Sequence, residues 1–121
     1  VYGKQVELDK ALAYYQKALA IREKVLGPAH PSTASTYNNI ANVYMNKQDY
    51  SAALRYYEKA LAIRESALGP KHPDTCSTYY NIGLLHDAQG HTDEALPWIR
   101  KAAAGGLPQA QRWLEEHGKK K

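Results

Sequence analysis

The stretch ALRYYEKALAIRESALGPKHPDTCSTYYNI, Ala53 to Ile82, stands a second time in the chain, as ALAYYQKALAIREKVLGPAHPSTASTYNNI from Ala11 to Ile40. The two copies begin 42 residues apart and agree at 22 of 30 aligned positions. Self-similarity at a fixed period of this length marks a repeat architecture, in which each unit buries its apolar face against its neighbours.

Along the first copy and just before it, residues of one face recur at three- and four-residue steps. Leu8, Ala11, Leu12, Tyr15, Ala18, Leu19 and Arg22 form one such stripe, which predicts a helix over 7–26. Gly27-Pro28 ends it, because glycine takes the left-handed position after a helix and proline cannot continue one. His30-Pro31-Ser32 restarts the chain, and a second helix to about Lys47 carries Tyr37, Ile40, Ala41 and Tyr44 on one face. Asp49 is placed to cap a third helix, over 50–68, closed by Gly69-Pro70. His72-Pro73-Asp74 opens a fourth, to about Gln89, which Gly90 breaks. A fifth is predicted from His91 or Thr92 to Ala104, and a short sixth from Pro108 to Glu116. No stretch reads as a strand. The predicted fold is all-α, a solenoid of antiparallel helix-turn-helix hairpins. The period sets repeats at 1–104, with a partial repeat over 1–30 and full repeats over 31–72 and 73–104. A capping helix follows over 105–118, then a basic tail over 119–121.

Composition narrows the function classes. Of the +4 formal charge, three units are Lys119, Lys120 and Lys121, so the body carries about +1, too little for an electrostatic nucleic-acid footprint. No apolar run approaches the roughly 18 residues of a membrane span. Cys76 is the only cysteine, which excludes an intrachain disulfide framework and points to a reducing, cytoplasmic compartment. Val1-Tyr2-Gly3-Lys4 leads straight into a repeat without an initiator Met, so the chain is expected to be a piece of a longer protein.

Catalytic constellations are not found. His30 and His72 are repeat equivalents in turns, and His86 and His91 are five residues apart with a helix break between them. No metal site is expected from that spacing. Cys76 replaces Ala34 of the other copy and reads as a small packing residue. There is no phosphate-binding glycine loop, and the carboxylates form no evident pair. The expectation is a non-enzymatic chain without a cofactor.

Where the copies stop agreeing is informative. Positions 41–50 match 83–92 at no site, so this segment is expected to carry specificity. Beside it, Asn39, Asn42 and Asn46 line one helix face with Asn38 next to them. Amides offer both donors and acceptors, which suits the backbone of an extended peptide. Spacing alone leaves that reading level with a solvated face.

Tyr37, Asn39, Ile40, Ala41, Tyr44, Tyr50, Ala53, Tyr57 and Ala60 resemble the spaced signature of the tetratricopeptide repeat. Tyr79, Asn81, Ile82, Gly83, Gly90, Ala95 and Ala102 resemble it again, with departures at His86, Thr92 and Ile99. The 42-residue unit, with Leu61-Ala62-Ile63-Arg64-Glu65, Leu68-Gly69-Pro70 and His72-Pro73, resembles the kinesin light chain class. Residues 101–114 also resemble the junction of a SEL-like repeat, the simpler reading being a closing helix with Trp113 and Leu114 inward.

The resemblance implies a protein-interaction module whose first helices line a concave groove. Position by position, that groove receives Ser35, Asn38, Asn39, Asn42, Met45 and Asn46, then Ser77, Tyr80, Asn81, Leu84, Asp87 and Ala88, with Lys4 at its edge. The implied partner is a protein or peptide of cargo or adaptor type. Asn38 and Tyr80 stand where chaperone-tail binders of the family have lysine, which argues against a carboxylate clamp. Kinesin light chains take short acidic peptides containing tryptophan, and Lys47, Arg22 or Arg64 would then be candidate cations. Two alternatives stay open. One is self-association through the exposed face of the N-terminal helix, and the other is a regulatory module attached to a larger protein.

Overall fold

The computed structural model describes residues 2–27 and 30–118, with side chains over 7–27 and 30–117. It is all-α, and the described residues contain no strand. The helices are α1 (Tyr2–Val25), α2 (Pro31–Asn46), α3 (Tyr50–Leu68), α4 (Pro73–Ala88), α5 (Thr92–Ala104) and α6 (Pro108–Gly118). The expected bounds agree with these to within two residues, except at the start of α1. That helix begins at Tyr2 rather than Glu7. Only Gly3 opposes it there, at a cost of about 1 kcal/mol, which one residue does not turn into a stop.

The chain forms two compact units, 1–63 and 64–121. In the first, α1 packs on α2, and the middle of α3 packs on α2 through Ala34, Tyr37 and Ala60, with Leu19, Tyr56 and Ile63 against them. Ile40 and Ala41 are fully buried. Tyr44 stacks on Tyr56 with ring centroids 5.7 Å apart. In the second unit α4 packs on α5 and α5 on α6. Its core holds Tyr79, Ile82, Leu85, Ala95, Ile99 and Ala102, with Ala110 and Trp113 of α6 closing it. The closing-helix reading of the C-terminal segment therefore describes what Trp113 does.

The repeated letters turn out to be repeated bonds. The His30 side chain accepts from Ser32 N at 3.0 Å, and that of His72 from Asp74 N at 3.1 Å, so each histidine caps the helix that its Pro opens. Arg22 Nη1 donates to Ser32 O at 3.1 Å and to Thr36 Oγ1 at 2.9 Å. Its counterpart Arg64 donates to Asp74 O at 3.3 Å and Thr78 Oγ1 at 2.8 Å. Glu23 accepts from the Tyr37 hydroxyl, as Glu65 accepts from Tyr79. Lys59 lies over the Tyr37 and Tyr56 rings, and Lys101 over Tyr79 and Trp98, each within 5.6 Å of the centroids. The Arg-Glu pair of each unit thus ties one helix to the first turns of the next.

Candidate functional site

The candidate side chains lie on two helix faces, one in each unit. On α2, Ser35, Asn38, Asn39 and Met45 are half-buried and Asn42 and Asn46 are exposed. The opposite side of the same helix supplies the core residues Ala34, Tyr37, Ile40 and Ala41. That division follows from the 3.6-residue period. The asparagine stripe is not wholly a free surface: Asn42 Oδ1 accepts from the hydroxyl of Tyr57, a core residue of α3. Ser35 Oγ donates to Pro31 O at 3.4 Å within its own helix.

On α4, Ser77, Tyr80, Asn81, Leu84 and Asp87 are half-buried and Ala88 is exposed. Here the structure adds what the repeat did not announce. Tyr80 shares the wall of a cavity of about 150 Å³ with Gln109, Arg112, Trp113 and Glu116 of α6. Burial pushes the Tyr80 hydroxyl above its ordinary pKa; Arg112 draws it back and Glu116 adds to the rise. The sequence did not place Gln109, Arg112 and Glu116 beside Tyr80, because the 42-residue register breaks. α5 stops at Ala104, so α6 begins at Pro108, whereas the counterpart of Pro73 would stand at 115.

The cations named from sequence have other tasks. Arg64 is buried and braces the start of α4, as Arg22 braces α2. Lys47 is ion-paired with Asp9 of α1. The side chain of Lys4 lies outside the described residues. Arg112 is an exposed cation that lines the same cavity as Tyr80.

Cys76 is fully buried and donates to Pro70 O at 3.6 Å. A Cβ on Gly105 would stand 2.2 Å from its sulfur, so the thiol fills the gap left by that glycine. Burial pushes its pKa up, the opposite of what an attacking thiolate needs. No helix among the described residues is long and apolar enough to cross a membrane.

A fold of capped helix pairs with amide and aromatic side chains on the outward faces of α2 and α4 defines a helical-repeat scaffold. The profile of the tetratricopeptide repeat family matches residues 1–44 and 32–107, and the chain belongs to that family. Its repeats are generally protein–protein interaction modules. Among solved structures, the chain resembles BtubC (BKLC) from P. vanneervenii, at 26% identity and a TM-score of 0.77 over 85% of this chain and 40% of that one. It also resembles a kinesin-light-chain-like chain from Podosopora anserina with nearly identical TPR-like repeats, at 21% identity and a TM-score of 0.75, covering 89% and 51%. A third similar structure is the N-terminal domain of stress-induced protein-1 from C. elegans, at 21% identity and a TM-score of 0.71, covering 93% and 83%. The chain thus spans about half or less of the first two. No protein of curated function is significantly similar to it.

Proposed function

We propose that this chain binds a peptide segment of a partner protein on the face of α4 and α6 in the second unit. The observation that carries the reading is the surrounding of Tyr80: a cavity of about 150 Å³ between an aromatic wall and the exposed Arg112. A cavity of that size holds one side-chain anchor, and Arg112 complements an acidic neighbour of that anchor. Asn81 and Ser77, on the same helix, supply hydrogen bonds to an extended backbone. Within the first unit, Asn39, Asn46 and Met45 of α2 are proposed as a separate set of peptide contacts. A cargo or adaptor role in a reducing, cytoplasmic setting is part of the same proposal. A peptide-array screen with the purified chain tests it, followed by titration of the best acidic, aromatic-containing peptide. Tyr80→Ala and Arg112→Glu are each expected to weaken binding at least about tenfold. Unchanged affinity in both variants, and in Asn39→Ala with Asn81→Ala, removes the assignment.

One observation favours a second reading. Tyr14, Ile21 and Val25 of α1 are 69%, 63% and 73% exposed. Tyr14 and Ile21 are the counterparts of Tyr56 and Ile63, which in α3 pack against the Ala34–Tyr37–Ala60 cluster. The same face on α1 is available to a second copy of the chain. Sedimentation across a concentration series tests this: association that Ile21→Lys abolishes supports it, and a monomer throughout removes it.

A further inference from the structure

The segment where the copies diverge most, 83–92, together with the start of α5, carries a second cluster of chemistry that the proposed peptide site does not use. His86 lies in the last turn of α4, His91 is the N-cap of α5, and Glu94 follows three residues later. In sequence a helix break at Gly90 separates the two histidines. In the structure the break is what joins them. Gly90 takes φ +84°, Gly90 N donates to Asp87 O at 2.9 Å, and His91 N donates to His86 O at 2.9 Å. This pair of bonds is a Schellman turn, which folds the residue after the glycine back onto the last helical turn. Thr92 Oγ1 donates to Asp87 Oδ1 at 3.0 Å and closes the same turn from the side chains.

Three observations then converge. His86 Nδ1 is sealed from solvent and makes no hydrogen bond among the described residues. The nearest carboxylate oxygen, Glu94 Oε2, stands 3.5 Å away, outside hydrogen-bond geometry. His91 departs from its relatives in the other turns: His30 and His72 use their Nδ1 to cap a helix, whereas His91 makes no side-chain cap. Its Nδ1 faces Glu94 Oε2 at 3.8 Å instead. The donor atoms of all three residues lie within 4.8 Å of one another.

We propose that His86, His91 and Glu94 form a binding site for a divalent transition-metal ion of the zinc class. Two imidazoles and one carboxylate are a donor set that such ions take, with one position left for water. Metal–ligand bonds of about 2.0–2.2 Å in a tetrahedron put neighbouring donor atoms roughly 3.3 Å apart. The separations from Glu94 are 3.5 and 3.8 Å and the whole set lies within 4.8 Å, so the donor atoms must close in by up to about 1.5 Å to reach that spacing. His91 and Glu94 are exposed and leave an approach for the ion. The segment 86–94 adds Asp87 and Asp93 and contains no Lys or Arg to repel a cation. In the other copy Tyr44, Asp49 and Ala52 occupy the three positions, so the site belongs to one repeat only. A bound ion would link the end of α4 to the start of α5 and hold their turn shut.

Titration calorimetry of the metal-stripped chain with Zn²⁺, and Co²⁺ absorption spectra for the ligand field, test the proposal. One ion per chain is expected, with visible bands of tetrahedral Co²⁺ and a rise in melting temperature on binding. His91→Asn and Glu94→Gln change exposed side chains and are expected to leave the fold intact; each is expected to weaken binding at least about tenfold. His72→Asn, at a helix-capping histidine, is expected to leave affinity unchanged. Absence of saturable binding in the wild-type chain overturns the site. So does binding that survives both His91→Asn and Glu94→Gln, which would assign it to the other histidines.

Discussion

A Cβ built on Gly83 would stand 2.5 Å from Cγ1 of Ile99 and 3.2 Å from the carbonyl oxygen of Ala95, so α4 and α5 meet where α4 carries no side chain. Gly83→Ala gains about 1 kcal/mol of helix propensity. It also overpacks a contact that includes backbone, at about 1–3 kcal/mol. The second effect is expected to win, with a net loss near 1 kcal/mol in urea unfolding. Ile99→Val should recover part of the loss in Gly83→Ala, and a double-mutant cycle would show the coupling.

Gln48 has φ +62°, where the matching turn of the other copy has Gly90. Left-handed backbone costs a residue with a Cβ about 1 kcal/mol, and Gln48 is exposed with little packing to lose. Gln48→Gly is therefore expected to stabilise the chain by about 0.5–1 kcal/mol, read as a higher denaturation midpoint at unchanged slope.

His72 accepts from Asp74 N as a helix cap. His72→Ala removes the acceptor and is expected to cost about 1 kcal/mol, whereas His72→Asn keeps one and should cost a few tenths. Equal losses in both variants would show that the ring's packing matters more than its nitrogen.

Burial pushes the hydroxyls of Tyr57 and Tyr79 up to about 12, in Tyr79 with help from the hydrogen bond to Glu65. Both folded pKa values lie above the unfolded value near 10. Their contribution is thus fully present below pH 10 and lost as pH rises from 10 towards 12. Unfolding free energies measured between pH 8 and 11.5 should be flat and then fall. Tyr57→Phe, which also frees Asn42 Oδ1, should make the fall shallower.

The kinds of information divide along physical lines. Helix positions, Gly-Pro and His-Pro turns, the small packing role of Cys76 and the inward face of α2 were all legible, because helical periodicity and turn chemistry act within a few residues. The recurrence of Ala11–Ile40 as Ala53–Ile82 was enough to name the fold class, since two copies of one hairpin need the same local signals. The uses of the long side chains were not legible. Arg22 and Arg64 were candidates for a groove, and the structure spends them on Thr36 and Thr78. Arg112 stands beside Tyr80 because α5 ends early and α6 brings a cation there. The sequence showed a break between His86 and His91; only the path of the turn at Gly90 showed that the break returns the chain on itself. A local pattern says where a helix stops. Which atoms then meet depends on the direction of the next helix, and packing between helices sets that direction.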